Sequence, residues 1–546
     1  MLVMRFECLA PQDLPHASRL YTAYLTDFRR ASAFYAHPPS LEGARAAAAE
    51  ASVGTPTDLR GAVVDALRAQ NAAFGGDASV EGSLSRLKAG AVAVVAGQQV
   101  GLFTGPAYSL YKALTAIRVA SELTARGTEA VPVFWLASED HDLAEVNHCD
   151  WPGREGLERL ELSHDSEREG QRAGEVALGG GIEAVLGAAL AALDGPGADA
   201  ISSALRAAYT AQETFASSFA KLVSRLLSGR GLILLDPLNP HFAALAAPVL
   251  SRALRENEAI IAALLQRGRE LEKAGFHAQV KVTERGTLLF AMLAGRRVPL
   301  RTANGAFRAG EQSFSLGDLE ALLARDPNAL SSSALLRPIV QDTLLPTAAI
   351  ITGPGELAYY AQSSVVYRRL LGRMPAILPR AGFTLIEPHV ARLMRKYRLG
   401  VRDVLRGRQY LRRRLERESV PRSLARQMTT GERNIKRYLL RMRNPLVKLD
   451  PTLAGALETA QKKMLYQLEK LRARAGRASD RREELLDRHE RILREAIAPH
   501  RGLQERSVCP LPIFARHGLE VLDSLQERAL GDSSAGGSFC HHVVFL

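Results

Sequence analysis

What the chain has little of narrows its class first. Its 546 residues contain four cysteines, Cys8, Cys149, Cys509 and Cys540, with no C-x-x-C pair and no Cys/His ligand spacing. That pattern argues against a disulfide scaffold and for reduced thiols in a cytoplasmic protein, with no zinc expected. "CHH" at 540–542 brings a thiol and two imidazoles together, but three adjacent side chains rarely converge on one ion. No apolar run approaches the ~20 residues that span a bilayer. The opening "MLVMRFECLAPQDLP" lacks the basic-then-apolar layout of a secretory signal, so no membrane partner is expected. Neither a G-x-x-x-x-G-K-[ST] loop nor a G-x-G-x-x-G fingerprint is present.

What is there is unevenly charged. The formal net charge is +13, and residues 391–500 hold the whole surplus, the remainder being close to neutral. An affinity for nucleic acid would belong to that segment alone. It has few aromatics for base stacking (Tyr397, Tyr410, Tyr438, Tyr466), so a nucleic-acid partner is not the favoured reading.

The patterning predicts an α/β protein. Residues 1–90 read as helical. "AVAVVAG" (91–97) then reads as a buried strand, followed by a Gly-rich turn and the helix "YSLYKALTAIRVASELTARG", closed by Gly127. "AVPVFWLAS" is a second strand, which makes a βαβ unit of a parallel sheet. "LILLDPLNP" and "TAAIITG" read as further strands, "PAILPRAGFTLI" as one more, and "FHAQVKVTERGTLLFAM" as two paired strands with a turn. The expected divisions are a core at 1–160 and 231–387, a helical insertion at 161–230 and a small inserted region around 275–330. A basic coiled-coil arm at 388–500 and a segment at 501–546 that rejoins the core complete the chain. In the arm, Leu457, Met464, Leu468, Leu471, Ala475, Ala478, Leu485 and Ile492 keep alternating three/four spacing, interrupted by Arg482 and His489. "RNPLVKLDP" (443–451) is the expected break that folds the arm into a hairpin.

In an open parallel sheet ligands lie beyond the carboxyl ends of the strands. There the sequence places Gln98, Gln99, Thr104, Gly105, Tyr108 and Lys112, a set suited to an anionic ligand, with Lys112 facing a phosphate or carboxylate. "SEDHD" ends the next strand. Period-two alternation would put Glu139 and His141 on one side and Asp140 and Asp142 on the other. His141 is the candidate general base or acid, with an Asp orienting it; the carboxylates would alternatively hold Mg²⁺, or simply cap the next helix. "RPIVQDTLLPT" and "TGPGELAYYAQ" add Arg337, Gln341, Asp342, Gly353, Glu356, Tyr360 and Gln362 near a third strand end, each readable as a core hydrogen bonder or a cap. Arg380 is a further candidate. Thr104-Gly105-Pro106 and Thr352-Gly353-Pro354 both follow apolar strands, each with a Tyr seven residues after the Thr (Tyr111, Tyr359).

"GQQVGLFTGPAYSLYKALTAI", "PVFWLASEDHDLAEVNH", "GFHAQVKV", "LRPIVQDTLLPTAAIITGPGELAYYAQ", "MPAILPRAGFTLI" and "GLQER" resemble, in this order, the bacillithiol-biosynthesis cysteine-adding enzymes called BshC. The resemblance implies a Rossmann-like core like that of class I synthetases and nucleotidyltransferases, and a coiled-coil arm associated with a homodimer. It also implies adenine nucleotide (ATP/ADP) binding and the joining of cysteine to the amine of glucosaminyl-malate. Gly97 and Asn147 fall within these motifs as binding candidates, and Trp135 as a candidate for thiol recognition. The chain departs from the synthetase pattern: "GPAYSLYK" stands where HIGH would, and no KMSKS run exists. Another ATP-dependent ligase or nucleotidyltransferase on the same scaffold, or an RNA-binding protein using the arm, are the alternatives.

Overall fold

The computed structural model describes residues 4–15, 17–153, 156–164, 168–419, 422–477, 480–530 and 539–546. The larger of two compact units comprises Phe6–Thr384 and Glu505–His542; the smaller is principally Leu385–Gln504. No helix among the described residues is long and apolar enough to cross a membrane.

The larger unit is built on a parallel sheet. Its first strands are β1 (Val92–Gln98), β2 (Ala130–Leu136) and β3 (Ile233–Leu235). An inserted antiparallel sheet follows, made of β4 (Gly286–Leu293), β5 (Arg296–Ala303), β6 (Ala306–Ala309), β7 (Gln312–Phe314) and β8 (Leu330–Ser332). The chain then returns as β9 (Thr347–Thr352) and β10 (Ala376–Pro379), giving the parallel order β10-β9-β1-β2-β3. The Val-, Ala- and Ile-rich strands are buried on both faces, as expected of a sheet covered by crossover helices. α1 (Tyr108–Ala125) connects β1 to β2, and Gly127, at φ +83°, ends it by donating to the Thr124 carbonyl. α2 (Arg337–Leu344) and α3 (Pro354–Leu370) flank β9. Strands run outward from β1 on one side and resume on its other side with β9. The order therefore reverses between β1 and β9, where a doubly wound sheet leaves its crevice.

Three local expectations change. Arg5–Leu9 is a strand ahead of the expected N-terminal helices. "PAILPRAGFTLI" forms two strands, because Arg380 and Ala381 turn aside: Arg380 N donates to Thr352 O and Ala381 N to Thr115 Oγ1. Only the second half of "FHAQVKVTERGTLLFAM" is a strand. Residue 280 is instead held by a side chain, Gln362 exchanging both its amide bonds with the Val280 backbone at 2.8 Å. β4 pairs with β5 through Ala294-Gly295, both at positive φ, a two-residue hairpin.

The smaller unit is an α-helical arm. α4 (Arg422–Leu449) runs straight through Pro445, and the chain folds back at Asp450-Pro451-Thr452 into α5 (Leu453–Arg477), before α6 (Asp480–Ile497). Asp450 Oδ1 accepts from Thr452 N and Oγ1 at 2.8 Å, a side-chain turn that ends one helix and opens the next. The expected seam holds in part: Leu457, Leu468, Ala475 and Ile492 are half-buried, but Met464, Leu471 and Leu485 are exposed, and Leu486, Leu493 and Arg472 are buried beside them. Ala478 and the Arg482 side chain lie outside the described residues.

Candidate active site

At the reversal between β1 and β9, α1 and α3 face each other with one charged residue each. Lys112, buried in the second turn of α1, donates to Gly97 O and Gln98 Oε1 at 2.7 Å and forms an ion pair with Glu356 of α3. All three ammonium protons are spent. Burial lowers the Lys112 pKa and the Glu356 charge opposes that shift. The ligand-facing carboxylate expected for Lys112 is thus supplied by the chain itself. Glu356 also accepts from Gly353 N at 2.9 Å, capping α3. Gln98 passes the network on, donating to Tyr108 Oη at 3.2 Å. Burial, with the Glu145 carboxylate adding to it, pushes the Tyr108 hydroxyl up to about 12.

Two arginines border this network. Arg337, at the start of α2, donates to Gln341 Oε1 and to Tyr359 Oη at 3.1 and 3.3 Å. Burial works against its charge, but Tyr359, Tyr360 and Glu356 together raise its pKa. Arg380 lies 5.6 Å from the Tyr108 ring and is held by a buried bidentate pair with Glu505.

The loop after β1 is wound left-handed: Phe103, Thr104 and Gly105 have φ of +51°, +74° and +64°. Two contacts over-determine this strained stretch. Phe103 N donates to Tyr209 Oη at 2.7 Å, and Cys509 Sγ donates to Phe103 O at 3.3 Å. Ala107 N, at the head of α1, reaches Val508 O. The Thr104 and Ser109 hydroxyls are buried here without hydrogen-bond partners.

The acidic segment differs from its expected form. β2 stops at Leu136, so alternation does not carry into 139–142. Asp142 caps the short helix Leu143–Val146 by accepting from Glu145 N, and the capping reading holds for it. Asp140 is taken up by the loop, accepting from His141 N at 2.7 Å and from Gln99 Nε2 at 2.8 Å. Gln99 also donates to Glu145 at 2.7 Å. His141 Nδ1 meets Arg297 of β5 at 3.3 Å, with Asp140 Oδ1 at 3.5 Å. Glu139 has its carboxyl pKa raised by burial, against the pull of Arg297, Arg172 and Arg337. Among the described residues, no group of three His, Cys, Asp or Glu is placed to hold a metal.

Comparison with known proteins decides the family. Residues 4–381 match the description "Bacillithiol biosynthesis BshC, N-terminal Rossmann-like domain", and residues 383–532 match "Bacillithiol biosynthesis BshC, C-terminal coiled-coil domain". The chain belongs to the BshC family. Relatives called "Putative cysteine ligase BshC" include one from Koribacter versatilis, 39% identical over 96% of this chain and 97% of its own length. One from Solibacter usitatus is 39% identical over 95% and 96%, and one from Salinibacter ruber 30% identical over 96% of each. The BshC Rossmann-like match covers most of the parallel-sheet unit, and the coiled-coil match covers the helical arm and the following residues up to 532. The chain is accordingly an enzyme of the ligase class, of bacillithiol biosynthesis.

Within this BshC fold the sequence candidates separate into two groups. Gln98, Lys112, Tyr108, Gly353 and Glu356 meet at the β1/β9 reversal, and Gln99, Asp140 and His141 gather at the end of β2. Arg337 and Arg380 border the first group, Thr104 and Gly105 lie in the loop after β1, and Glu139 and Asp142 lie in the segment after β2; the remaining candidates serve the interior. Asn147 donates to Leu162 O at 3.2 Å beside the hairpin of His148–Pro152 and Leu157–Glu161. Trp135 is fully buried, and Gly97 lies against its backbone, a Cβ there falling 3.1 Å from Trp135 O. Asp342 is buried, accepting from Gln341 at 2.9 Å and from the Tyr367 hydroxyl, and burial raises its pKa. Tyr360 and Gln362 are core residues of α3. Arg297, Arg172 and Tyr209 carried no sequence signal; Glu505 did, inside "GLQER".

Proposed function

We propose that this chain forms the amide between the carboxylate of L-cysteine and the amine of glucosaminyl-malate, in the cytoplasm, with ATP and Mg²⁺ activating the carboxylate. The reading is supported by the family and by one structural observation: at the strand-order reversal, where such a sheet binds its ligands, polar groups from β1, α1 and α3 meet. The residues fit an anionic group such as a nucleotide phosphate. The buried hydroxyls of Thr104 and Ser109 lack partners, α1 has no side-chain cap, and Arg337 is hydrogen-bonded only to neutral groups. These residues, with Gln98, would hold the nucleotide, which supplies a leaving group for the carboxylate.

The chain's own groups then have distinct tasks. Lys112 ties β1, α1 and α3 together and so holds the reversal point in place. Arg337 offers unpaired N–H donors to a carboxylate or phosphate. The amine must lose a proton to attack, and Glu139 is the acceptor, its raised pKa bringing it closer to that of the ammonium. The exposed apolar residues of the arm, Tyr438, Leu440, Met464 and Tyr466, would pair with a second copy.

The test is a mass-spectrometric end-point assay on purified protein with cysteine and glucosaminyl-malate, with and without ATP·Mg²⁺. Bacillithiol together with AMP, both dependent on ATP, is expected. Product without nucleotide turnover would retain the ligation and remove the nucleotide. No product from folded protein would overturn the substrate assignment.

A further inference from the structure

Arg297 comes from the inserted antiparallel sheet, yet its Nη1 lies 3.3 Å from the Nδ1 of His141. The rest of its head group is fixed. Nε donates to Ser331 Oγ at 3.0 Å, Nη2 donates to Ser332 O at 2.6 Å, and the guanidinium carbon sits 3.9 Å over the Phe290 ring. That ring also lies 6.2 Å from the imidazole, so Phe290 backs both groups. A guanidinium has only donors and keeps its proton. The contact therefore requires a lone pair on Nδ1. The competing charge is Asp140, whose Oδ1 is 3.5 Å from Nδ1. That oxygen already accepts from the backbone of His141 and Asp142 at 2.7 and 3.4 Å. A proton on Nδ1 would set N–H against N–H at Arg297 in exchange for a longer contact with an occupied acceptor. Glu139 and Arg172 also act on Arg297 through space, with opposite signs.

We propose that Arg297 is a positioning residue that fixes His141 as its Nε2–H tautomer, so that His141 serves the ligation as a hydrogen-bond donor and not as its base. The role in ligation rests on the function proposed above; the tautomer does not. As the amine nitrogen bonds to the activated carboxyl carbon, negative charge builds on the carboxyl oxygen. A fixed donor stabilises that oxygen until the leaving group departs with the bonding electron pair. The proton lost by the amine goes to the Glu139 carboxylate, so that no proton passes through His141.

Two measurements on the full-length protein test this. In ¹⁵N-histidine-labelled protein at neutral pH, long-range ¹H–¹⁵N correlation, with the signal assigned by its loss in His141→Gln, should show the proton on Nε2. Arg297→Met should lose that preference and Arg297→Lys should keep part of it. In the ligation assay, His141→Ala should fall about 100-fold in kcat, as for loss of one oxyanion donor. His141→Gln, whose amide nitrogen can replace Nε2–H, should stay within about tenfold of the parent. Arg297→Met should lose about 10- to 100-fold in kcat with KM for both substrates nearly unchanged. A proton found on Nδ1 in the parent protein, or His141→Gln as inactive as His141→Ala, would overturn the proposal. Amide formation absent from every protein, with Nε2–H present in the parent and lost in Arg297→Met, would leave the tautomer standing and remove the ligation reading.

Discussion

The turns Thr104-Gly105-Pro106 and Thr352-Gly353-Pro354 share a tripeptide, a preceding strand and a following helix, yet they are built in opposite ways. The first has two positive φ angles, extended to three by Phe103 before it, and delivers a helix with no side-chain cap. The second is extended at Gly353, with φ −85° and ψ 173°, and its helix is capped by its own Glu356. One helix contributes a cation, the other a carboxylate, and the two join across the sheet's reversal point. Even the matching tyrosines diverge: Tyr111 packs on Phe383 with its hydroxyl unpartnered, whereas Tyr359 reaches Arg337. The lesson is that an internal echo of sequence can mark two complementary halves of a site as readily as two equivalent ones.

The ion pair is where the comparison breaks most easily. Lys112→Ala leaves Glu356 and two acceptors of β1 without their cation, and should cost about 3 kcal/mol in denaturant unfolding along with most of the activity. The double reversal Lys112→Glu with Glu356→Lys should not restore either, because Gly97 O needs a donor and Gly353 N an acceptor. Recovery would show that only the Coulomb attraction matters. Next come the glycines. Gly105→Ala enters a backbone region at φ +64°, ψ −150° that side chains avoid, and should destabilise by about 1–3 kcal/mol. Gly353→Ala, whose Cβ would lie 3.6 Å from Glu356 Oε2, should cost under about 1 kcal/mol by the same measurement.

A smaller effect concerns pH. The Glu139 pKa is raised in the folded protein, so the rate should fall as pH drops through a value above that of an ordinary glutamate. Folding stability runs the other way. The group's contribution is complete below its unfolded pKa and is lost as pH rises through the folded one. Glu139→Gln should therefore flatten the acidic limb of the rate profile while making the protein slightly more stable at alkaline pH. The smallest effects are at the tyrosines. Tyr359→Phe should cost about 1 kcal/mol, whereas Tyr111→Phe should be neutral in thermal unfolding. Equal costs would erase the distinction between the two turns.

How much of this could be read from the chain follows from the range of each interaction. β1, α1 and Gly127 are written in local patterns of apolar residues and one turn residue. The arm's seam slips by one residue at Leu485-Leu486, and Leu493 is buried more deeply than Ile492, because these are apolar doublets. Spacing alone cannot say which member turns inward; packing decides. Period-two alternation failed at Glu139–Asp142 because the strand had already ended. Arg297 was invisible for a different reason. It lies 156 residues from His141 and acts only through a tertiary contact. Val280 likewise takes its partners from Gln362, so no strand pattern could predict its state.

The left-handed loop at Phe103 has one partner 406 residues downstream, in the Cys509 thiol. During synthesis β1, α1 and β2 leave the ribosome long before residues 505–509 exist. The nascent chain must therefore wait, with its loop half-held by Tyr209, until residue 509 has emerged. A chain that ends within the arm would therefore carry its Rossmann-like unit with this loop held by Tyr209 alone.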